Sequence, residues 1–278
     1  MQRIFLLRAY GDFVIALQAI SRSNQKIQIV ASDHLAPLYH ALIASKALQP
    51  LSIDFIDLGI QQGQLNFFTN KHLVSWDTVK QLSRLKSYIK ANPNHNGIDW
   101  VEHPIRIELF NFLLGQNFKA VVSAKEKVYQ AYDHWVGIEQ VGFQAAVLGN
   151  KKPLNIIAMP DARLSKRVIQ PAILELVKKY IISKGFDLKV ARMRSQIDST
   201  DLVYENFEAL INIIQKADFV ICTDSLPAHL ASFFKKPHYI IYPKHGMTNF
   251  FTPYAQNFGA AGTFDHSNFT FLNEYESI

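Results

Sequence analysis

Three short segments hold side chains able to do chemistry, and each leaves an apolar run. The first is Leu6-Leu7-Arg8-Ala9-Tyr10-Gly11-Asp12. Gly11 permits a tight turn and close approach of a ligand to the backbone. The carboxylate of Asp12 can take a proton from an incoming hydroxyl, or it can cap the helix that follows. The second, Pro160-Asp161-Ala162-Arg163-Leu164-Ser165-Lys166-Arg167, is expected to open a helix, whose N-terminal amides and dipole attract phosphate. There Ser165 supplies a hydroxyl donor, Lys166 a point charge and Arg167 a planar fork. Ordinary solvated basic residues at a helix start would look the same. The third is Asp224-Ser225-Leu226-Pro227-Ala228-His229, after the apolar run Phe219-Val220-Ile221-Cys222. Amides after Asp224 can hold a diphosphate. Asp224 itself would repel phosphate, so it faces sugar hydroxyls or caps the helix. His229 stands one turn on from Ser225 and is either packed or part of the site.

Other chemistries lack their signatures. There is no GxGxxG after the first strand and no HExxH, and Ser225 has no GxSxG elbow. The histidines show no metal-ligand spacing, so no metal and no cofactor are expected. The one cysteine, Cys222, can form no intrachain disulfide and reads as core. We assign no function to Trp76, Trp100 or Trp135, and Pro104 and Pro237 read as boundary residues. The net charge of +6 favours anionic ligands. The basic residues are scattered rather than blocked, which argues against nucleic acid.

These segments are positioned by strand–helix alternation. Strands are expected at Ile4–Leu7, Ile27–Val30, Ile53–Ile56 and Ile98–Val101, with Gly11-Asp12 as the first turn. Helices are expected from Leu35 to Leu48, through Val79, Leu82, Leu85 and Ile89 with Asp77 as cap, and through Ile107 to Gly115. Leu73–Ser75 is a short strand candidate, 59–69 is ambiguous and 116–150 is irregular. After Lys151-Lys152-Pro153 the pattern restarts, with strands at Leu154–Ala158, Leu188–Ala191, Phe219–Cys222 and Tyr239–Ile241. Helices there are expected at Lys166–Lys184, closed by Gly185, at Phe207–Ile214 and at Asp224–Phe234. Short apolar runs joined by helices imply parallel sheets covered on both faces. The 278 residues, 49% hydrophobic and 19% charged, suit two domains, 1–150 and 151–278. The fold class is therefore α/β: two Rossmann-like domains facing a cleft, with parallel sheets flanked by helices and ligands at the strand ends. No run reaches the ~18 apolar residues of a membrane span, the first apolar run is too short for a signal peptide, and no amphipathic basic helix stands out. A cytoplasmic setting is expected.

Taken together, the three segments resemble glycosyltransferase family 9, the lipopolysaccharide heptosyltransferases. Gly11-Asp12-Phe13-Val14-Ile15-Ala16-Leu17-Gln18-Ala19-Ile20 is similar to the family's glycine–aspartate opening. Lys166-Arg167 looks like its phosphate-loop pair. Asp224 to His229 is similar to its aspartate–serine/threonine–glycine–x–x–histidine turn, continued by Lys236-Pro237, and His103 to Gly115 looks like its last N-terminal helix. The resemblance implies a GT-B fold, an acceptor-side first domain and a nucleotide-sugar-binding second domain. It implies inverting, metal-independent transfer of heptose or a related sugar, with ADP-heptose as the donor, to a lipopolysaccharide-type or lipid-linked saccharide. Asp12 would be the base, Lys166 would neutralise the leaving diphosphate, and Asp224 would hold the donor sugar. Ser225 and nearby amides would bind phosphate. The implied location is the cytoplasm, with peripheral contact at the inner membrane surface.

The sequence departs from that pattern at Leu226 and Asp161, where glycines are usual, and at Gln18, where proline is common. Leu226 adds bulk beside the diphosphate turn and Asp161 adds a negative charge to the phosphate loop. Two other readings fit the same shell: a nucleotide-sugar epimerase or hydrolase, and a degenerate nucleotide-sugar-binding protein without turnover.

Overall fold

The computed structural model describes residues 2–60, 63–68, 75–92, 97–99, 104–122, 127–138, 155–193, 201–242, 252 and 255–259. The chain forms two compact units, Met1–Val141 and Gly142–Ile278. The boundary expected at 150/151 lies outside the described residues.

The first unit holds a parallel sheet of β1 (Gln2–Leu6), β2 (Ile27–Ser32), β3 (Ile53–Ile56), β4 (Gly97–Ile98) and β5 (Lys119–Ala120), ordered β3-β2-β1-β4-β5. Its helices are α1 (Tyr10–Ile20), α2 (Ala36–Ala44), α3 (Trp76–Ala91), α4 (Pro104–Leu114) and α5 (Val128–Trp135). Successive strands stay parallel because each crossover runs through a helix. The order reverses between β1 and β4, and at such a switch point ligands bind in α/β sheets. Phe5, Phe67, Phe110 and Phe118 are buried together on one face, with Phe5 and Phe118 centroids 5.3 Å apart. Each buried ring contributes roughly 1.5–3 kcal/mol.

The second unit holds β6 (Ile156–Met159), β7 (Leu188–Met193), β8 (Leu202–Tyr204), β9 (Phe219–Thr223), β10 (His238–Ile241) and β11 (Ala255–Gly259), ordered β11-β10-β9-β6-β7-β8. Here the switch lies between β6 and β9. Its helices are α6 (Pro171–Ser183), α7 (Phe207–Lys216) and α8 (Leu226–Phe233). Gly185 ends α6 at φ +76, the left-handed backbone that glycine adopts without strain. β5, β8 and β11 add short strands that apolar runs did not mark.

Several expected boundaries move for identifiable reasons. Gly11 and Asp12 are not a turn. They lie in the first turn of α1, whose N-cap is Ala9, so Asp12 does not cap that helix. Asp77 does not cap α3 either: Ser75 does, its hydroxyl accepting from the Thr78 amide at 3.2 Å. Lys166 does not begin a long helix. Ser165–Arg167 is a single tight turn, the backbone is extended at Val168 and Gln170, and α6 starts at Pro171. The proline explains this, since it disfavours helical backbone before it and suits the first helical turn. The second unit's last helix starts at Leu226 rather than Asp224. The strand candidate Leu73–Ser75 lies outside the described residues except for Ser75.

The cap assignment is testable by urea unfolding. Ser75→Ala should cost about 1 kcal/mol, and Asp77→Ala should cost less, because it removes only a first-turn charge.

Candidate functional site

At the switch point of the first unit, β1 ends at Leu6 and β4 at Ile98, and the next residues turn inward. Asp99 continues the ladder, its amide donating to the Phe5 carbonyl at 3.0 Å. Its Oδ2 accepts from the amides of Leu7 and Arg8 at 2.9 and 3.1 Å. Arg8 Nε stands 3.5 Å from Asp12 Oδ2. Asp12, at the third position of α1, is 8% exposed and sits where the helix dipole favours a negative charge. Among the described residues the Oδ1 atoms of Asp12 and Asp99 and the Tyr132 hydroxyl are buried and find no hydrogen-bond partner. Burial pushes the Asp99 carboxyl up to about 8; Arg8 opposes the rise and the Asp12 charge adds to it. Burial also raises the Tyr132 phenol, with the charges of Asp99 and Asp12 adding to the rise.

At the switch point of the second unit, the loop after β6 folds back across the end of β9. The Ile169 amide donates to the Pro160 carbonyl at 2.9 Å, and the Thr223 hydroxyl donates to the Arg167 carbonyl. Arg167 Nη1 lies 3.2 Å from both the Asp224 carbonyl and Asp224 Oδ2. Asp224 is buried, so this pairing is what makes its charge tolerable there. Ser165 and Lys166 are exposed in the same turn. The Ser225 hydroxyl donates to the Thr223 carbonyl at 3.3 Å. Pro227 brings no N–H to the first turn of α8, and the Ala228 amide is taken by the Ser225 carbonyl at 3.0 Å. His229 is buried, and desolvation, followed by Arg167 and then His238, lowers its imidazole to about 3. It is thus a packed neutral ring.

Asp161 is drawn away from phosphate chemistry. It is buried, its Oδ1 pairs with Arg192 Nη1 at 3.0 Å and its Oδ2 accepts from the Met193 amide at 3.2 Å. Arg192 also holds Asp201 at 2.7 Å. Burial pushes the Asp161 carboxyl up, while Met193 and Arg192 pull it down.

The structure therefore places Gly11 and Asp12 in one unit, and Ser165, Lys166, Arg167, Asp224, Ser225, Leu226 and His229 around one loop–helix junction in the other. Sequence reasoning missed Asp99 and Tyr132. Asp99 lay inside an expected strand through Val101, although it follows an apolar residue at a strand end as Asp224 does. Among the described residues no group of three or more His, Cys, Asp or Glu side chains is placed to hold a metal ion.

Residues 196–271 match glycosyltransferase family 9 (heptosyltransferase). No curated protein matches the chain by sequence. Solved structures share its fold. The family 9 glycosyl transferase from Veillonella parvula DSM 2008 superposes at TM-score 0.55 and 11% identity, over 100% of this chain and 90% of that one. E. coli ADP-heptose lps heptosyltransferase II gives 0.57 and 9%, over 100% of each. E. coli heptosyltransferase WaaC with ADP gives 0.56 and 10%, over 94% of this chain and 93% of that one. The matched segment bears out the resemblance to glycosyltransferase family 9 over residues 196–271, and the solved structures share the fold of two parallel sheets flanked by helices.

The buried imidazoles make a pH prediction. His229 and His238, the latter lowered to about 4 mainly by burial, stay neutral in the fold, whereas the unfolded chain binds protons at both below about 6.5. The unfolded state then holds more protons, so stability falls as pH drops from 6.5 toward 4. His229→Gln should shrink that loss in melting curves, and the wild-type His229 ring should show no NMR titration between about pH 5 and 8.

Proposed function

We propose that this family 9-type glycosyltransferase moves heptose or a related sugar from a nucleoside diphosphate donor, ADP-heptose being the first choice, to a saccharide acceptor with inversion. The observation that carries the reading is the pair of switch points in the two units. One presents a buried carboxylate at a helix start, and the other a basic turn against a polar helix entry.

In the N-terminal unit Asp12 accepts the proton of the acceptor hydroxyl as its oxygen attacks the anomeric carbon. The bond from that carbon to the diphosphate oxygen breaks, and the nucleoside diphosphate leaves with the electron pair. In the C-terminal unit the diphosphate takes Lys166 as its point charge, with Ser165, the Ser225 hydroxyl and the amides of Ser225 and Leu226 as donors. Arg167 is held to Asp224, so it shapes that turn while offering its remaining N–H groups. Asp224 turns its carboxylate to sugar hydroxyls, and His229 packs behind it. No metal or cofactor enters this scheme.

The acceptor's setting is a lipid surface. Among the described residues no helix is long and apolar enough to cross a membrane. Yet α4 exposes Ile105, Leu109 and Phe112 at helical spacing, and α3 exposes Trp76 and Val79. Phe112 is 81% and Trp76 70% exposed, unusual for large apolar side chains. Lys80 lies over the Trp76 ring at 5.9 Å, and Lys86 reaches the Leu113 carbonyl at 3.0 Å. Aromatic and aliphatic side chains ringed by lysine suit the headgroup zone of an anionic bilayer.

Calorimetric titration with ADP, UDP, GDP and CMP tests the donor. ADP should bind selectively and more weakly to Lys166→Ala; selective UDP or GDP binding would keep the fold and change the donor, and no binding would favour a degenerate binding shell. Asp12→Asn should lose roughly 10²–10⁴-fold in turnover with donor affinity kept, and unchanged turnover would remove Asp12 as the base. Vesicle sedimentation checks the surface: anionic vesicles should retain the wild type, high salt should release it, and Phe112→Asp should fail to bind.

A further inference from the structure

The N-terminal switch point holds a second acid that the scheme above does not use. Asp99 is 1% exposed. It bonds through one oxygen to two successive amides, while its other oxygen is buried and finds no hydrogen-bond partner among the described residues, as is true of Asp12 Oδ1 and the Tyr132 hydroxyl. A buried carboxyl with an unused oxygen is costly in a sheet core unless it does something there. What it holds is the segment that carries Arg8, and Arg8 is the ion-pair partner of Asp12.

We propose that Asp99 is the positioning residue for Asp12: from the end of β4 it clamps the Leu7 and Arg8 amides, fixing where Arg8 meets the Asp12 carboxylate. This rests on the transferase reading with Asp12 as base. Asp99 touches no reacting atom in it and acts through Arg8.

The clamp carries a proton at neutral pH. The charged or titratable groups that act on Asp99 are Arg8 after β1, Asp12 on α1 and Tyr132 on α5. Burial and Asp12 favour its neutral form and Arg8 the charged one, which leaves its carboxyl near 8. Below that pH the neutral Asp99 does not compete with Asp12 for Arg8. Above it, Asp99 is charged and competes for Arg8, so turnover falls as pH rises through about 8. The stability sign is the same. The folded chain keeps the Asp99 proton where the unfolded chain has lost it, so this acid's contribution is whole below the unfolded value of 3.8 and is lost as pH rises toward 8.

Asp99→Asn and Asp99→Ala in the full chain test this by transfer kinetics across pH, nucleotide calorimetry and melting across pH. Asp99→Ala frees the clamped amides, and kcat should fall about 10²-fold with nucleotide affinity unchanged. Asp99→Asn keeps an acceptor for both amides. It should hold kcat within about threefold at pH 7 and lose the wild-type fall near pH 8. Its melting temperature should rise relative to wild type between pH 4 and 8. If Asp99→Ala keeps kcat, or the fall near pH 8 survives in Asp99→Asn, the positioning role is overturned; where the alanine variant fails to fold, the asparagine pH profile alone decides. A wild type that binds nucleotide but transfers no sugar sinks the transferase reading and this role with it. Wild-type turnover combined with a flat difference in melting temperature across pH removes the buried proton alone.

Discussion

A parallel sheet leaves backbone amides without partners where its strand order reverses, because the neighbours on either side of the central strand head off in opposite directions. In this chain that happens twice, beyond β1 and beyond β6. A buried amide without a partner costs about 1–3 kcal/mol, and water is not at hand inside an apolar core. Polar side chains must therefore be brought to these points. The Leu7 and Arg8 amides are met by the carboxyl of Asp99, and in the second unit the carbonyls of Arg167 and Asp224 are met by the Thr223 hydroxyl and the Arg167 guanidinium. The polar site residues stand where the sheet itself requires polar partners.

The two units meet this requirement with different electrostatics. In the C-terminal unit the buried Asp224 is paired with Arg167 at 3.2 Å, and Asp161 with Arg192 at 3.0 Å. In the N-terminal unit one arginine faces two acids. Arg8 is ion-paired with Asp12, while burial, opposed by Arg8 and reinforced by the Asp12 charge, raises the Asp99 carboxyl to about 8. A buried acid raised in this way stays neutral at neutral pH beside the Arg8–Asp12 ion pair. A base needs that arrangement, while a diphosphate site needs fixed donors and cations.

Much of this was legible in the sequence. Apolar runs marked several strands well: the buried β9 runs one residue past its expected end, and even β3, at the sheet edge and partly buried, falls at Ile53–Ile56 as expected. Fully buried strands are continuous apolar runs, so they announce themselves. The edge strands β5 and β8 did not, because Lys119-Ala120 is an exposed pair opening on a lysine and Leu202-Val203-Tyr204 is only three residues long with the first two exposed. Helix starts were misread where a proline further on outweighed a plausible cap, as at Lys166, five residues ahead of Pro171. Asp99 was illegible for another reason. Its role depends on β1 and β4 lying side by side across more than ninety residues of chain, a pairing that no local pattern encodes.

The same reasoning separates the two departures from the family pattern. A negative charge at Asp161 looks damaging to a phosphate loop when only the sequence is read. In the fold that charge is consumed by Arg192 and the Met193 amide, and it ties the end of β6 to β7 and, through Asp201, to the start of β8. It therefore replaces glycine as a fastening. Leu226 differs. It is partly exposed in the first turn of α8, directly before a proline that withholds one amide. Its bulk and the missing N–H both fall where a diphosphate would seek donors. On the proposed function, Leu226-Pro227 is therefore the departure that bears on the donor, and Asp161 the one that bears on the fold.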